Sequence, residues 1–243
     1  MDHLAIFYIL LFFVAVLYAS VGHGGASGYL ALMALFAVSP VVMKPTALML
    51  NLFVSLTSFI QFYRGRHFRW KIFLPLALAS IPFAFVGGIL TIDAEIYKKV
   101  LGAFLLIPVS RFFLFPNIPV GQLRPPRLDV SISAGAAIGF LSGLIGIGGG
   151  ILLSPILLML RWTDQKQAAA ISAMFIFVNS LSGLTGQLST GVSFGPDMLL
   201  WVVIAFAGGL LGAWLGALRF NQRILKYVLA IVLLLAAVKL LFS

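Results

Sequence analysis

The sequence predicts an all-α polytopic membrane protein made of two inverted repeats, each a re-entrant (broken) helix hairpin plus three transmembrane helices. Three observations carry that expectation. The first is composition: 62% of the 243 residues are hydrophobic and 9% are charged, whereas a soluble domain carries about 25% charged residues. Mean hydropathy is +1.13, so too little polar surface exists to cover a globule in water. The second is pattern. The apolar runs are long and continuous rather than alternating, and lipid admits only helices or closed barrels, so helices are selected. The third is a glycine-rich break that recurs at a matching place in each half.

The first apolar stretch runs from about Leu4 to Ala19. It lacks a positive leading segment, so it reads as a retained membrane segment rather than a signal peptide. "SVGHGGASG", Ser20 to Gly28, breaks it, and a short apolar arm follows over Tyr29–Val38. Three span-length helices come next, near Pro45–Tyr63, Ile72–Thr91 and Ile96–Phe115. The loop "PNIPVGQLRPPRLD" holds prolines and arginines that do not belong in hydrocarbon. The order then repeats: Val130–Ile145, the break "GIGGG" (Gly146–Gly150), a short arm Ile151–Leu160, and helices near Gln167–Leu188, Met198–Leu218 and Arg223–Leu241.

Internal matches support the duplication. Gly22, Gly24 and Gly25 correspond to Gly146, Gly148 and Gly149, and Gly87 corresponds to Gly212. "KKVLGAFLL" from Lys98 corresponds to "KYVLAIVLL" from Lys226. The chain therefore divides into a first repeat over 1–116, a cytoplasmic linker over 117–128 and a second repeat over 129–243.

Charge sets the orientation. Arg64, Arg66, Arg69 and Lys71 cluster after the first long helix, which places that loop in the cytoplasm by the positive-inside rule. Alternation then puts Arg111, Arg124, Arg127, Arg161, Lys166, Arg219, Arg223 and Lys226 inside as well. Lys44, Asp93, Glu95, Lys98, Lys99 and Lys239 fall outside, with both termini. The loop 64–71 is inside and its counterpart near 189–197 is outside, so the halves are inverted. Three long helices already give an odd number of crossings. Each broken segment must then add none, entering and leaving by one face. Its short arm of about ten residues is roughly 15 Å of helix, half of a ~30 Å hydrocarbon core. The first arm is also long enough to cross if steep, which leaves two true spans as the other reading. The formal net charge of +10 is accounted for by these cytoplasmic loops, so no nucleic-acid partner is implied.

Two hairpins entering from opposite faces bring their tips together near the midplane. At each tip a short helix begins, with free N–H groups and the positive end of its dipole. Glycine lets a ligand approach the backbone closely. Paired helix N-termini in an inverted repeat form a site for a small anion. The candidate binding residues are Gly22, His23, Gly24, Gly25, Ala26, Ser27 and Asn51 from the first half, and Gly146, Gly148, Gly149, Gly150 and Asn179 from the second. Gly22 and Gly146 supply the bends. The glycines have a plainer reading as helix-packing residues.

His23 is the one titratable side chain placed near the midplane. Imidazole titrates near neutrality and suits a coupling proton or a contact to an anion. Its counterpart is Ile147, so a structural histidine is the other reading. Asn51, Ser55 and Ser58 share one helix face, as do Ser172, Asn179 and Ser182. Such faces line a polar path or hydrogen-bond between helices. Gly208, Gly212 and Gly216 form a packing stripe or an oligomer seam.

No long helix carries an acidic residue in its interior, and the chain has no cysteine. Neither a metal site nor a cofactor site nor a catalytic set is expected. The competing classes are a passive anion channel or partner subunit, and a membrane-embedded enzyme such as a lipid-phosphate hydrolase. The enzyme would need a buried carboxylate or an activated nucleophile.

"GLIGIGGGILLSPILLML", Gly143 to Leu160, resembles the hallmark of the sulfite exporter TauE/SafE family of membrane transporters. "YASVGHGGASGYLALMALFAVSP" resembles that family's N-terminal element, and the likeness covers essentially the whole chain. It implies a multi-pass permease of the bacterial inner membrane for small sulfur-containing anions such as sulfite or organosulfonates. The chain departs from the pattern at "HGGASG" and has Ala31 where the second half has Pro155.

Overall fold

The computed structural model describes residues 2–20, 23–114, 123–192, 194–217 and 222–242. Among them are ten α-helices and no strand: α1 (Asp2–Ser20), α2 (Ala26–Leu35), α3 (Pro40–Arg64), α4 (Trp70–Ile89) and α5 (Ala94–Leu114), then α6 (Leu128–Ile145), α7 (Gly150–Met159), α8 (Gln165–Ser189), α9 (Met198–Ala217) and α10 (Gln222–Phe242). Within that region α1, α3, α4, α6, α8 and α9 are long and apolar enough to cross a membrane. Residues 115–122, which hold much of the expected linker, and Gly22 of the first break lie outside the described residues.

The helix bounds follow local chemistry. α3 starts five residues before the expected Pro45, because Ser39 stands at the cap and Pro40 follows at the first helical position. Proline is suited to that position, where its missing N–H has no intrahelical role. Pro45 is carried inside the first turns; the carbonyl it leaves without a donor belongs to Val41, which is exposed. α8 is capped by Asp164, whose carboxylate accepts from the Gln167 N–H at 2.8 Å. α2 is buried from Ala26 to Ala34, and its apolar composition suits that position.

The helices pair in a pattern that survives exchange of the two halves. α3 packs on α8, and α5 packs on α10. α4 packs on α6, and its counterpart α9 packs on α1. Both of the latter contacts are backbone against backbone. Gly135, Gly139 and Gly143 lie against the Leu76, Ser80 and Ala84 carbonyls, while Gly208 and Gly212 lie against the Phe12 and Val16 carbonyls. In lipid there is no hydrophobic drive between helices, so close approach at small residues supplies the attraction. Gly208 and Gly212 are thus used for packing within the chain; the surroundings of Gly216 lie outside the described residues.

The two ends of each broken segment lie side by side. The Phe7 and Phe36 rings, near the start of α1 and just past α2, are 5.3 Å apart. The Arg124 N–H, ahead of α6, donates to the Arg161 carbonyl, beyond α7, at 2.8 Å. Large apolar side chains face outward, with Leu78 70% and Leu199 72% exposed among many others. That much exposed apolar surface calls for lipid rather than water.

Candidate functional site

The two glycine breaks meet at the crossing of α3 and α8. The first leaves the chain at Gly25, whose φ of 98° lies in the left-handed region, and α2 begins at the next residue. The second ends the same way at Gly149, with φ 79°, and α7 begins at Gly150. Glycine adopts this conformation without the cost a Cβ would bring, so each break ends by redirecting the chain into a short helix. Gly146 adds a further left-handed position, with φ 90°, where α6 stops.

Gly24 and Gly148 share neighbours although they belong to different halves. A Cβ on Gly24 would lie 2.6 Å from Asn51 Oδ1 and 2.8 Å from Ile176 Cγ2. A Cβ on Gly148 would lie 2.5 Å from Asn51 Nδ2 and 2.8 Å from the same Ile176 methyl. Asn51 and Ile176 therefore stand between the two breaks. Asn51 is fully buried, and both ends of its amide are used. Its Oδ1 accepts the Ala26 N–H at 3.0 Å, and its Nδ2 donates to Ser180 Oγ at 3.3 Å. The first N–H of a helix has no intrahelical acceptor, so Asn51 caps α2 from the neighbouring helix and ties it to α8.

Asn179, the buried asparagine of α8, is bonded differently. Its Nδ2 donates back to the Phe175 carbonyl at 2.8 Å, and its Oδ1 has no partner. The two asparagines thus perform different tasks.

His23 reaches across to the other half. Its Nε2 lies 3.1 Å from Ser154 Oγ on α7, and Ser154 in turn lies 2.7 Å from Ser172 Oγ on α8. The Ser154 hydroxyl also meets the Gly150 carbonyl at 3.0 Å. A carbonyl only accepts, so Ser154 spends its one proton there. Its remaining lone pairs then take protons from Ser172 and from His23 Nε2–H. That arrangement holds His23 as a donor at Nε2 and fits either the Nε2–H tautomer or the imidazolium.

Of the other candidates, Ala26 enters through its backbone N–H. Ser27 is turned away, with its hydroxyl 2.5 Å from the Tyr18 hydroxyl on α1. The Cβ directions of Gly25 and Gly149 point at Tyr29 and at Phe175 with Ile138, and that of Gly150 points at Ile176. Gly146 rests against the stem of Lys44. Ser154, Ser180 and Ile176 were not among the expected binding residues. Ser180 was visible as polarity in a long helix, and Ser154 as the residue before Pro155. Ile176 gave no signal, since an apolar residue in an apolar helix is unremarked.

Comparison with known proteins adds a family. The family model described as sulfite exporter TauE/SafE matches residues 7–240. A probable membrane transporter protein of Sinorhizobium fredii is 36% identical over 235 residues, 95% of this chain and 95% of that one. A probable membrane transporter protein of Methanocaldococcus jannaschii is 33% identical over 147 residues, 59% of this chain and 55% of that one. A sulfite exporter TauE/SafE family protein of Arabidopsis thaliana is 35% identical over 74 residues, 30% of this chain and 16% of that one. No solved structure matches the chain.

Proposed function

The chain belongs to the sulfite exporter TauE/SafE family of multi-pass membrane transporters, and from that premise we propose that it is a secondary permease for a small sulfur-containing oxyanion such as sulfite or an organosulfonate. The anion sits between the two glycine breaks, held by backbone N–H groups at the starts of α2 and α7. The observation that carries this reading is the meeting of Gly24 and Gly148, from different halves, across Asn51 and Ile176. Two helix N-termini brought close together favour negative charge, and broken helices in paired repeats are a recurring transporter plan.

In this reading residues 1–116 and 129–243 are inverted repeats joined by a cytoplasmic linker, and access alternates as one rocks against the other. The exchange-invariant pairing of α4 with α6 and α9 with α1 supports the repeat. The Phe7–Phe36 contact and the Arg124–Arg161 bond support a broken segment that returns to the face it entered from. Both termini are extracytoplasmic, and the membrane is the bacterial inner membrane. His23, placed between the halves, is the point at which a proton couples to transport. The relatives are named as transporters, which favours transport over catalysis.

Reconstituted protein tests the reading. Sulfite, sulfate, thiosulfate and sulfonates are offered to liposomes with and without a proton gradient. Saturable flux with counterflow of a sulfur oxyanion is expected. Flux without counterflow would make the protein a channel, and no flux of any oxyanion would end the proposal.

A further inference from the structure

The orphaned acceptor beside the second break narrows the substrate. Asn179 is wholly buried, and donation from its Nδ2 to the Phe175 carbonyl at 2.8 Å fixes which end of the amide is which. Its Oδ1 is left with no donor. The neighbouring residues of α8 place it. Phe175 lies against Gly149, Ile176 against Gly148 and Gly150, and Ser180 against Gly148. Residues three and four apart share a helix face, so Asn179 stands on the face of α8 that covers residues 148–150. The start of α7 there has backbone N–H groups without intrahelical acceptors. At the start of α2 the buried amide oxygen of Asn51 is, by contrast, already taken by the Ala26 N–H.

A buried acceptor repels a bare oxyanion, because two lone pairs then face each other in a medium of low dielectric. It welcomes an oxyanion that carries a hydrogen on one oxygen. We infer that the site selects a singly protonated oxyanion, of the hydrogen-sulfite type, with its O–H donated to Asn179 Oδ1 and its ionised oxygens on the N–H groups at the start of α7. This rests on the anion-site reading above and gives that site a rule for choosing among sulfur oxyanions: a simple sulfonate, which carries no hydrogen on oxygen, is disfavoured.

The test compares two monoanions of nearly the same shape, hydrogen methylphosphonate and methanesulfonate, at one mildly acidic pH. Both are tetrahedral with three oxygens and one methyl group, and only the first has an O–H. Binding is measured calorimetrically on purified full-length protein. The wild type is expected to hold hydrogen methylphosphonate at least about tenfold more tightly, since leaving a buried acceptor unpaired is costly. In Asn179→Leu the ratio is expected to fall to about one while methanesulfonate still binds, which also shows that the variant is folded. Asn179→Asp keeps an acceptor and is expected to keep the preference while binding both ligands more weakly. Equal binding by the wild type overturns the inference and leaves the anion site standing, as does an unchanged ratio in Asn179→Leu. Binding of neither ligand overturns the anion site itself.

Discussion

Asn51 Oδ1 accepts the Ala26 N–H at 3.0 Å, so a side chain from the middle of α3 closes the open end of α2 across 25 positions of sequence. The same amide donates to Ser180 in the other half. One residue of α3 therefore joins α2 to α8.

Asn51→Leu removes both bonds and leaves the Ala26 N–H buried without an acceptor. Each such loss costs about 1–3 kcal/mol, and a chain of this size loses about 2–4 °C of Tm per kcal/mol. A fall of several degrees in detergent, together with loss of oxyanion flux, is expected. Asn51→Asp keeps the cap, since a carboxylate accepts, and is expected to recover most of the Tm but not the flux, because it sets a negative charge beside the anion. Full flux in Asn51→Asp would separate Asn51 from the substrate.

Gly24→Ala places a methyl 2.6 Å from Asn51 Oδ1 and 2.8 Å from Ile176 Cγ2. Side chains must yield, which is feasible, so the protein is expected to fold and to bind substrate poorly. Ile176→Ala in the same chain removes one of the two obstructions and should restore part of the binding. A double-mutant cycle on affinity measures this coupling; strict additivity would mean that Gly24 and Ile176 do not meet in the working protein.

Gly143→Ala differs in kind. Its methyl would collide with the Ala84 carbonyl and crowd the Gly88 backbone nitrogen, and no flexible side chain is there to yield. The α4–α6 contact must open, so loss of monodisperse protein on size exclusion is expected. Gly195→Ala meets only Val42, at 3.3 Å, and is expected to behave as wild type.

Lys44 lies across the end of α4, with its Nζ 3.3–3.4 Å from the carbonyls of Gly87, Gly88 and Leu90. A cation at a helix C-terminus satisfies free carbonyls and complements the dipole, for about 0.3–1 kcal/mol and up to ~2 when partly buried. Lys44→Met should lower Tm by a few degrees. Lys44→Arg should preserve most of it, and equal losses in both would assign the effect to the stem packed on Gly146 rather than to the charge.

His23 and Ser154 form a contact between the halves at 3.1 Å. Protonation of His23 adds positive charge near the anion, so flux is expected to rise as pH falls through the imidazole range. With methanesulfonate as substrate, whose charge does not change with pH, His23→Ala should flatten that profile, and Ser154→Ala, which removes a partner, should displace it without abolishing transport. A profile unchanged by His23→Ala in liposomes would take the histidine out of coupling.

Much of the architecture was legible in the chain. Long unalternated apolar runs fixed the helices to within a few residues, because in lipid every backbone group must be bonded locally. The glycine breaks were legible for the converse reason: helices avoid such segments, and two at matching places are hard to read otherwise. The start of α3 was misplaced because Pro45 resembles a helix start, whereas Ser39 and Pro40 provide one earlier.

The sequence by itself determined where the chain is helical and where it breaks. Tertiary structure alone decided what each polar side chain does. Asn51 and Asn179 carry the same functional group on helices that pack together, yet one uses both ends of its amide and the other has an open oxygen. Ser27 turns to Tyr18, and His23 finds Ser154 131 residues away. Periodicity reports which face of a helix a residue occupies. Its hydrogen-bond partner depends on which helix is packed against that face and in what register, and that is set by contacts such as α3 on α8 that no local pattern encodes.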